Sequence, residues 1–169
     1  MPTDFLETQD AKLETQNFLC HLPEETFDLG ARLGETLAGG EIILLAGGLG
    51  AGKTLFTKGV LSALGFDADE VTSPSFTLVN LYRTERFDVY HIDFWRLDDV
   101  PDVAGAVGLG EILEDETAIV IAEWSERLKE IGFPNRIIRV LIEGDGDDAR
   151  RIELSIGGVS SPPAHARRF

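Results

Sequence analysis

Residues Gly47-Gly48-Leu49-Gly50-Ala51-Gly52-Lys53-Thr54 satisfy the pattern G-x-x-x-x-G-K-[ST], and also the tighter G-x-x-G-x-G-K-T. Each residue type has a chemical reason. Glycines let the chain wrap closely around a phosphate and aim successive N–H groups inward. A helix that begins at the end of the loop adds the positive end of its dipole. Lys53 is then placed to reach the β- and γ-phosphates of a nucleotide, and the Thr54 hydroxyl to ligate Mg²⁺. The expected nucleotide-binding segment runs from Gly47 to Thr54 and includes the next residue, Leu55. No N-K-x-D guanine-reading motif occurs anywhere, so ATP is the expected nucleotide rather than GTP.

A phosphate loop of this kind needs a carboxylate at the end of a neighbouring strand to hold or orient the magnesium shell. Asp93 ends the run Val89-Tyr90-His91-Ile92, and Glu123 ends Ile119-Val120-Ile121-Ala122. On the residues alone, either acid could complete the site or be a solvated strand end. Glu123 has the better position, because a wholly apolar strand belongs at the sheet centre, beside the strand that feeds the loop. His91 could serve as a base, although a hydrogen-bonded structural histidine is the commoner outcome. Thr72-Ser73-Pro74-Ser75-Phe76-Thr77 gathers four hydroxyls around a proline. That is either a turn with capping hydroxyls or a loop that senses the γ-phosphate through Thr72, Ser73 and Ser75. Trp124 is either core packing or a lid on the nucleotide.

The elements that must position these residues are legible in outline. Pro23-Glu24-Glu25 opens a helix, with proline and acids in the first turn, and Leu29, Leu33 and Leu37 give it an apolar stripe until Gly39-Gly40. Ile42 to Ala46 is a short continuous apolar run, the mark of a strand buried on both faces. A second amphipathic helix carries Phe56, Val60 and Leu64 and stops at Gly65. The loop therefore lies between a buried strand and a helix, which is the context its chemistry requires.

Gln16 to Leu22 reads as a short strand, Phe76 to Tyr82 and Phe87 to Phe94 as a hairpin, and Asp98 to Glu116 as one or two short helices. Ala118 to Ala122 is another central strand, and Asn135 to Ile142 with Arg151 to Ile156 flank a second turn, Gly144-Asp145-Gly146-Asp147. The expected fold is a single α/β phosphate-loop NTPase domain, three-layered, with a mixed sheet of parallel strands and antiparallel hairpins. It spans residues 15–157, between a poorly ordered segment at 1–14 and a disordered tail at 158–169.

The bulk figures narrow the partners. Thirty acidic against 15 basic residues give a net charge of −15 over 169 residues, a surface that repels a bare polyphosphate backbone. Independent nucleic-acid binding is thereby disfavoured. The sole cysteine, Cys20, excludes an internal disulfide and a cysteine-built metal site. The chain starts Met-Pro-Thr-Asp without a basic or apolar leader, and no run reaches the roughly 18 apolar residues of a membrane helix. A cytoplasmic protein without membrane contact is expected.

Taken in order, Gly-Leu-Gly-Ala-Gly-Lys-Thr (48–54), Thr-Ser-Pro-Ser-Phe-Thr-Leu-Val (72–79), Tyr-His-Ile-Asp-Phe-Trp-Arg-Leu (90–97) and Glu-Trp (123–124) resemble the TsaE family. The likeness runs from about Glu25 to Ile156. Members of that family are bacterial ATPases of tRNA threonylcarbamoyladenosine biosynthesis. The resemblance implies ATP and Mg²⁺ as ligands, and hydrolysis that is slow without a threonylcarbamoyl-transferase partner pair of the TsaB and TsaD type. It implies that tRNA is met only through those partners.

By motif it assigns Lys53 to the phosphates, Thr54 to magnesium, Asp93 and Glu123 to the two acids of the magnesium site, and Trp124 to the side of the nucleotide. Lys53, Asp93 and Glu123 become the catalytic set, and Thr72, Ser73 and Ser75 fall in the switch-like loop. Three positions depart from the family's pattern. Gly48 stands where an aspartate is usual, Leu55 where a second threonine is common, and Ser75 where a threonine follows the proline. The first two bear on ATP affinity, and none removes a part that phosphate chemistry requires.

Two other readings remain on the residues alone. The loop spacing also suits a small-molecule kinase, but an acceptor pocket and an arginine lid are not evident, since Arg83, Arg86, Arg96 and Arg127 are scattered. A nucleotide-sensing adaptor without turnover is the other.

Overall fold

The structure is a computed structural model that describes residues 14–97, 100–128, 133 and 136–157. The expectations for 1–13 and for the tail at 158–169 lie outside these residues.

One seven-stranded sheet organises the chain, in the order β1-β7-β6-β2-β5-β4-β3. Its centre is built from the continuous apolar runs. β2 (Ile42–Ala46) pairs in parallel with β5 (Ile119–Glu123) on one side and β6 (Ile137–Glu143) on the other. β4 (Asp88–Asp93) continues the parallel set beside β5. The antiparallel strands lie at the two margins: β3 (Val79–Arg83) against β4, and β7 (Arg150–Gly157) against β6, with β1 (Glu14–Cys20) outside β7. The mixed sheet expected from the two hairpin patterns is present.

Strand alternation sends side chains to two cores. Ile43, Leu45, Val89, Ile119, Ile121, Ile138 and Val140 face one side, where they meet Leu29, Leu33, Phe56 and Val60 of α1 (Pro23–Glu35) and α2 (Lys53–Ala63). Ile42, Ile92, Val120, Ala122 and Ile137 face the other. There they pack with Val107, Leu109 and Ile112, around the short helices α3 (Val103–Ala106) and α4 (Leu109–Ile112). This gives three layers. Helices α1 and α2 approach closely because Gly30 and Gly59 carry no Cβ. A Cβ at Gly59 would sit 2.0 Å from the Phe27 carbonyl oxygen, and one at Gly30 2.2 Å from that of Phe56. No helix among the described residues is long and apolar enough to cross a membrane.

Several boundaries differ from expectation by a residue or more, three of them for a clear local reason. β1 begins at Glu14 and ends at Cys20, because Leu22 is taken up as the residue that caps α1. β3 begins only at Val79, although Phe76-Thr77-Leu78 has strand-like composition. Those residues turn instead, with Leu78 in the left-handed region at φ 65° and its N–H donating to the Pro74 carbonyl at 2.7 Å. α1 ends at Glu35, and Leu37 completes its apolar stripe from beyond the helix, 2% exposed.

The start of α1 yields a pH-dependent expectation. Leu22 has no side chain able to cap, so the Glu25 carboxylate reaches back to the N–H groups of Leu22 and His21. The bond from Leu22 first, then that from His21, holds the Glu25 carboxyl below its usual range. A carboxylate with a lowered folded-state pKa stabilises the fold at neutral pH, and that contribution fades as pH falls through the lowered value. Glu25→Ala is expected to melt a few degrees lower than the parent at neutral pH. The gap should narrow as thermal melts are repeated into the acid range.

Candidate nucleotide site

The glycine-rich loop leaves the end of β2 and closes on the first turn of α2. Gly47, Gly50 and Gly52 have φ of 147°, 74° and 111°, which side-chain-bearing residues rarely adopt. Gly47 also has a steric reason, since a Cβ there would lie 2.4 Å from the Ile142 carbonyl oxygen. Gly48, Leu49 and Gly50 are exposed, Leu49 at 76%, whereas Ala51 is buried and Leu55 half-buried on α2.

Lys53, the first residue of α2, is 5% exposed. Its ammonium donates to the carbonyls of Gly47 at 2.7 Å and Gly48 at 2.8 Å, and lies 4.0 Å from the centroid of a Trp124 ring. Burial lowers the Lys53 pKa, offset in part by the negative charges of Glu123, Glu126 and Asp93. A buried ammonium held by neutral carbonyls is well suited to exchange them for an anion.

Trp124 follows Glu123 in the left-handed region, at φ 57°. A bulky residue there is strained, and such strain gathers at functional sites. The turn brings its half-buried ring under Lys53 and against Trp95, with centroids 4.5 Å apart. Trp124 also packs on the second core, the first of the two roles left open by the sequence.

The two acids come together through strand register. β4 and β5 are parallel neighbours, and Asp93 is paired with Glu123. Two-residue periodicity puts both on the α2 face, the side of Val89, Ile119 and Ile121. Both are nearly fully buried, at 2% and 3%. Oε1 of Glu123 accepts from the Thr54 hydroxyl at 3.0 Å and lies 2.8 Å from Nε2 of His91. His91 is wholly buried and its Nδ1 has no hydrogen-bond partner, so Nε2 is the nitrogen that donates. His91 therefore holds Glu123 in place.

Asp93 is engaged differently. Its Oδ1 accepts from the Trp95 N–H at 2.8 Å, and its Oδ2 from the hydroxyls of Ser73 at 3.1 Å and Ser75 at 2.9 Å. The serine hydroxyls are also 2.7 Å apart. Thr72 takes part through its backbone, its carbonyl accepting from Tyr82 Oη at 3.0 Å and Asn80 Nδ2 at 3.2 Å. At the loop's tip Phe76 is 84% exposed, with the Arg96 guanidinium 4.5 Å from its ring centroid.

Thr54, Asp93 and Glu123 offer only oxygen donors, the set a hard divalent cation such as Mg²⁺ prefers. Among the described residues no group of three His, Cys, Asp or Glu side chains could hold a metal ion. The donor set thus fits an ion shared with phosphate oxygens rather than one caged by protein. One contributor went unread in the sequence: Arg150 of β7, which bonds the carbonyls of Gly50 and Ala51.

Comparison with known proteins identifies the family. The family model for the threonylcarbamoyl adenosine biosynthesis protein TsaE matches residues 20–152. The chain is 38% identical over 135 residues to the tRNA threonylcarbamoyladenosine biosynthesis protein TsaE of a Nostoc species, covering 78% of this chain and 80% of that one. It is 32% identical over 136 residues to the Bacillus subtilis protein of the same name, covering 80% and 82%. The crystal structure of Bacillus subtilis YdiB superposes with a TM-score of 0.65 at 28% identity, over 89% of this chain and 90% of that one. The chain belongs to the TsaE family of threonylcarbamoyl adenosine biosynthesis proteins.

Proposed function

We propose that this chain is a magnesium-dependent ATPase, slow by itself, that serves threonylcarbamoyladenosine formation on tRNA as a subunit of a larger assembly. The observation that carries the reading is the hydrogen bond of Thr54 to Glu123 at 3.0 Å, directly after a glycine loop whose lysine already sits on its carbonyls. It joins a phosphate cradle to a buried carboxylate. Thr54, Asp93 and Glu123 would hold Mg²⁺, directly or through water, and the ion would offset the negative charge of the phosphates.

The chain's own groups then have separable tasks. Lys53 exchanges the carbonyls of Gly47 and Gly48 for phosphate oxygens. Glu123, fixed by His91, orients the attacking water. Asp93 couples the site to the Ser73–Ser75 loop: whatever draws on its Oδ2 also loosens the two serines, so the loop senses whether the γ-phosphate is present. An ATP-dependent change in an exposed loop bearing Phe76 is a means of acting on a partner rather than on a small substrate. The partners would be a threonylcarbamoyl-transferase pair of the TsaB and TsaD type. The charge of −15 leaves tRNA contact to them.

The test is ADP release from ATP and Mg²⁺ by the purified chain, first alone and then with the partner pair. Slow release that rises at least severalfold with the partners is the expected result. No stimulation by authentic partners, or stoichiometric transfer of phosphate to a metabolite, would refute it.

A further inference from the structure

A loop that turns its amides toward an anion turns its carbonyls away, and those carbonyls need partners of their own. Here two cations take them. Lys53 holds those of Gly47 and Gly48. Arg150, about a hundred residues along the chain at the start of β7, holds those of Gly50 and Ala51. Its Nε donates to Ala51 O at 2.9 Å and its Nη2 to Gly50 O at 3.3 Å. The same guanidinium donates to Gly146 O at 2.9 Å and to Asp148 O, both in the β6–β7 turn. Gly144 leaves room for this: its φ is 136°, and a Cβ there would lie 3.0 Å from Arg150 Cδ and 2.9 Å from Ala149 O. The loop's first residue is also seated on this hairpin, since Gly47 lies against the Ile142 carbonyl.

We infer that Arg150 is a positioning residue for the phosphate loop, clamping the peptide groups after Gly50 and Ala51 to the β6–β7 hairpin. The inference rests on the reading that this loop binds ATP. A planar, permanently charged fork can bridge two successive carbonyls and fix both peptide planes, which a lysine ammonium cannot do to the same degree. A cation on each carbonyl also polarises its peptide, so that the attached N–H groups become stronger donors. Arg150 needs no contact with the phosphate for either effect.

Calorimetric titration of the full chain with Mg–ATP, and separately with inorganic pyrophosphate, tests this in the parent, Arg150→Ala and Arg150→Lys. Losing charged hydrogen bonds to the loop should weaken both ligands by about 10- to 100-fold in Arg150→Ala, with stoichiometry near that of the parent. Arg150→Lys should recover only part of the loss. A merely structural role would behave otherwise, because an unfolded fraction lowers the stoichiometry and leaves Kd unchanged. Parental Kd values in Arg150→Ala, or a loss confined to ATP and absent for pyrophosphate, would overturn the inference while ATP binding stands. If Arg150→Ala does not fold, Arg150→Lys decides, and a Kd within twofold of the parent overturns the clamp. Binding of neither ligand by the parent would remove the ATP reading and the clamp with it.

Discussion

Lys53→Ala is expected to lose ATP affinity by about a hundredfold or more while the protein stays folded. In the proposed complex the ammonium makes charge-assisted bonds to the phosphates, each worth roughly 1.5–3 kcal/mol, so losing two costs about a hundredfold at the least. The unliganded fold depends on it much less. Burial depresses the Lys53 pKa more than Glu123, Glu126 and Asp93 raise it, so the charge is held there against its solvation preference. Removing it relieves that cost, and the Gly48 carbonyl keeps the Ala51 N–H as a donor. Melting temperature should therefore move by a few degrees while binding collapses. Tryptophan emission offers a second readout, because Lys53 lies over Trp124 and Trp124 contacts Trp95. Nucleotide binding should draw the ammonium off the ring and change the signal in the parent, and should leave the variant silent. Unaltered ATP affinity in Lys53→Ala would remove the lysine from the site.

The second large effect is expected at Glu123, and it should fall on turnover rather than binding. Glu123→Gln keeps the size of the side chain and an oxygen for Thr54 or His91. The change to alanine would instead leave the buried His91 ring without its partner. Losing the charge that orients water should reduce hydrolysis about a hundredfold or more, with ATP affinity within a few fold of the parent. Asp93→Asn should also slow turnover more than it weakens binding, and should loosen the Ser73–Ser75 loop by replacing a charged acceptor. Single-turnover assays beside equilibrium binding separate the two effects. Near-parental hydrolysis in both variants would show that the acids were wrongly assigned.

Much of this site could be read from the chain because its parts are local. The strand at 42–46, the glycines after it and the helix from Lys53 are contiguous, and each follows from composition and spacing. Asp93 and Glu123 were visible as acids ending apolar strands. Their pairing was not, since the register of β4 on β5 joins residues thirty apart through backbone bonds that leave no mark in either sequence. Phe76-Thr77-Leu78 misled because aromatic and branched residues suggest a strand, whereas the bond from Leu78 to Pro74 closes a turn and leaves Phe76 in solvent. Arg150 was illegible for a related reason. Its partners are carbonyls, which every residue possesses, and only the fold says which ones a distant arginine will meet.

The outermost pairing, β1 on β7, has a consequence for how the molecule is made. Glu14 meets Ile156 and Cys20 meets Arg150, so among the described residues β1 pairs with β7 alone, a strand synthesised far later. At about 5–20 residues per second, translation leaves β1 waiting many seconds for it. Helices α1 and α2 and strands β2, β5 and β4 can assemble meanwhile from segments already available. The sheet then closes last at that margin, once β6 and β7 have folded over. A nascent chain interrupted before β7 would hold an unpaired strand carrying Phe18 and Leu19, a ready site for mispairing with its neighbours on the same message.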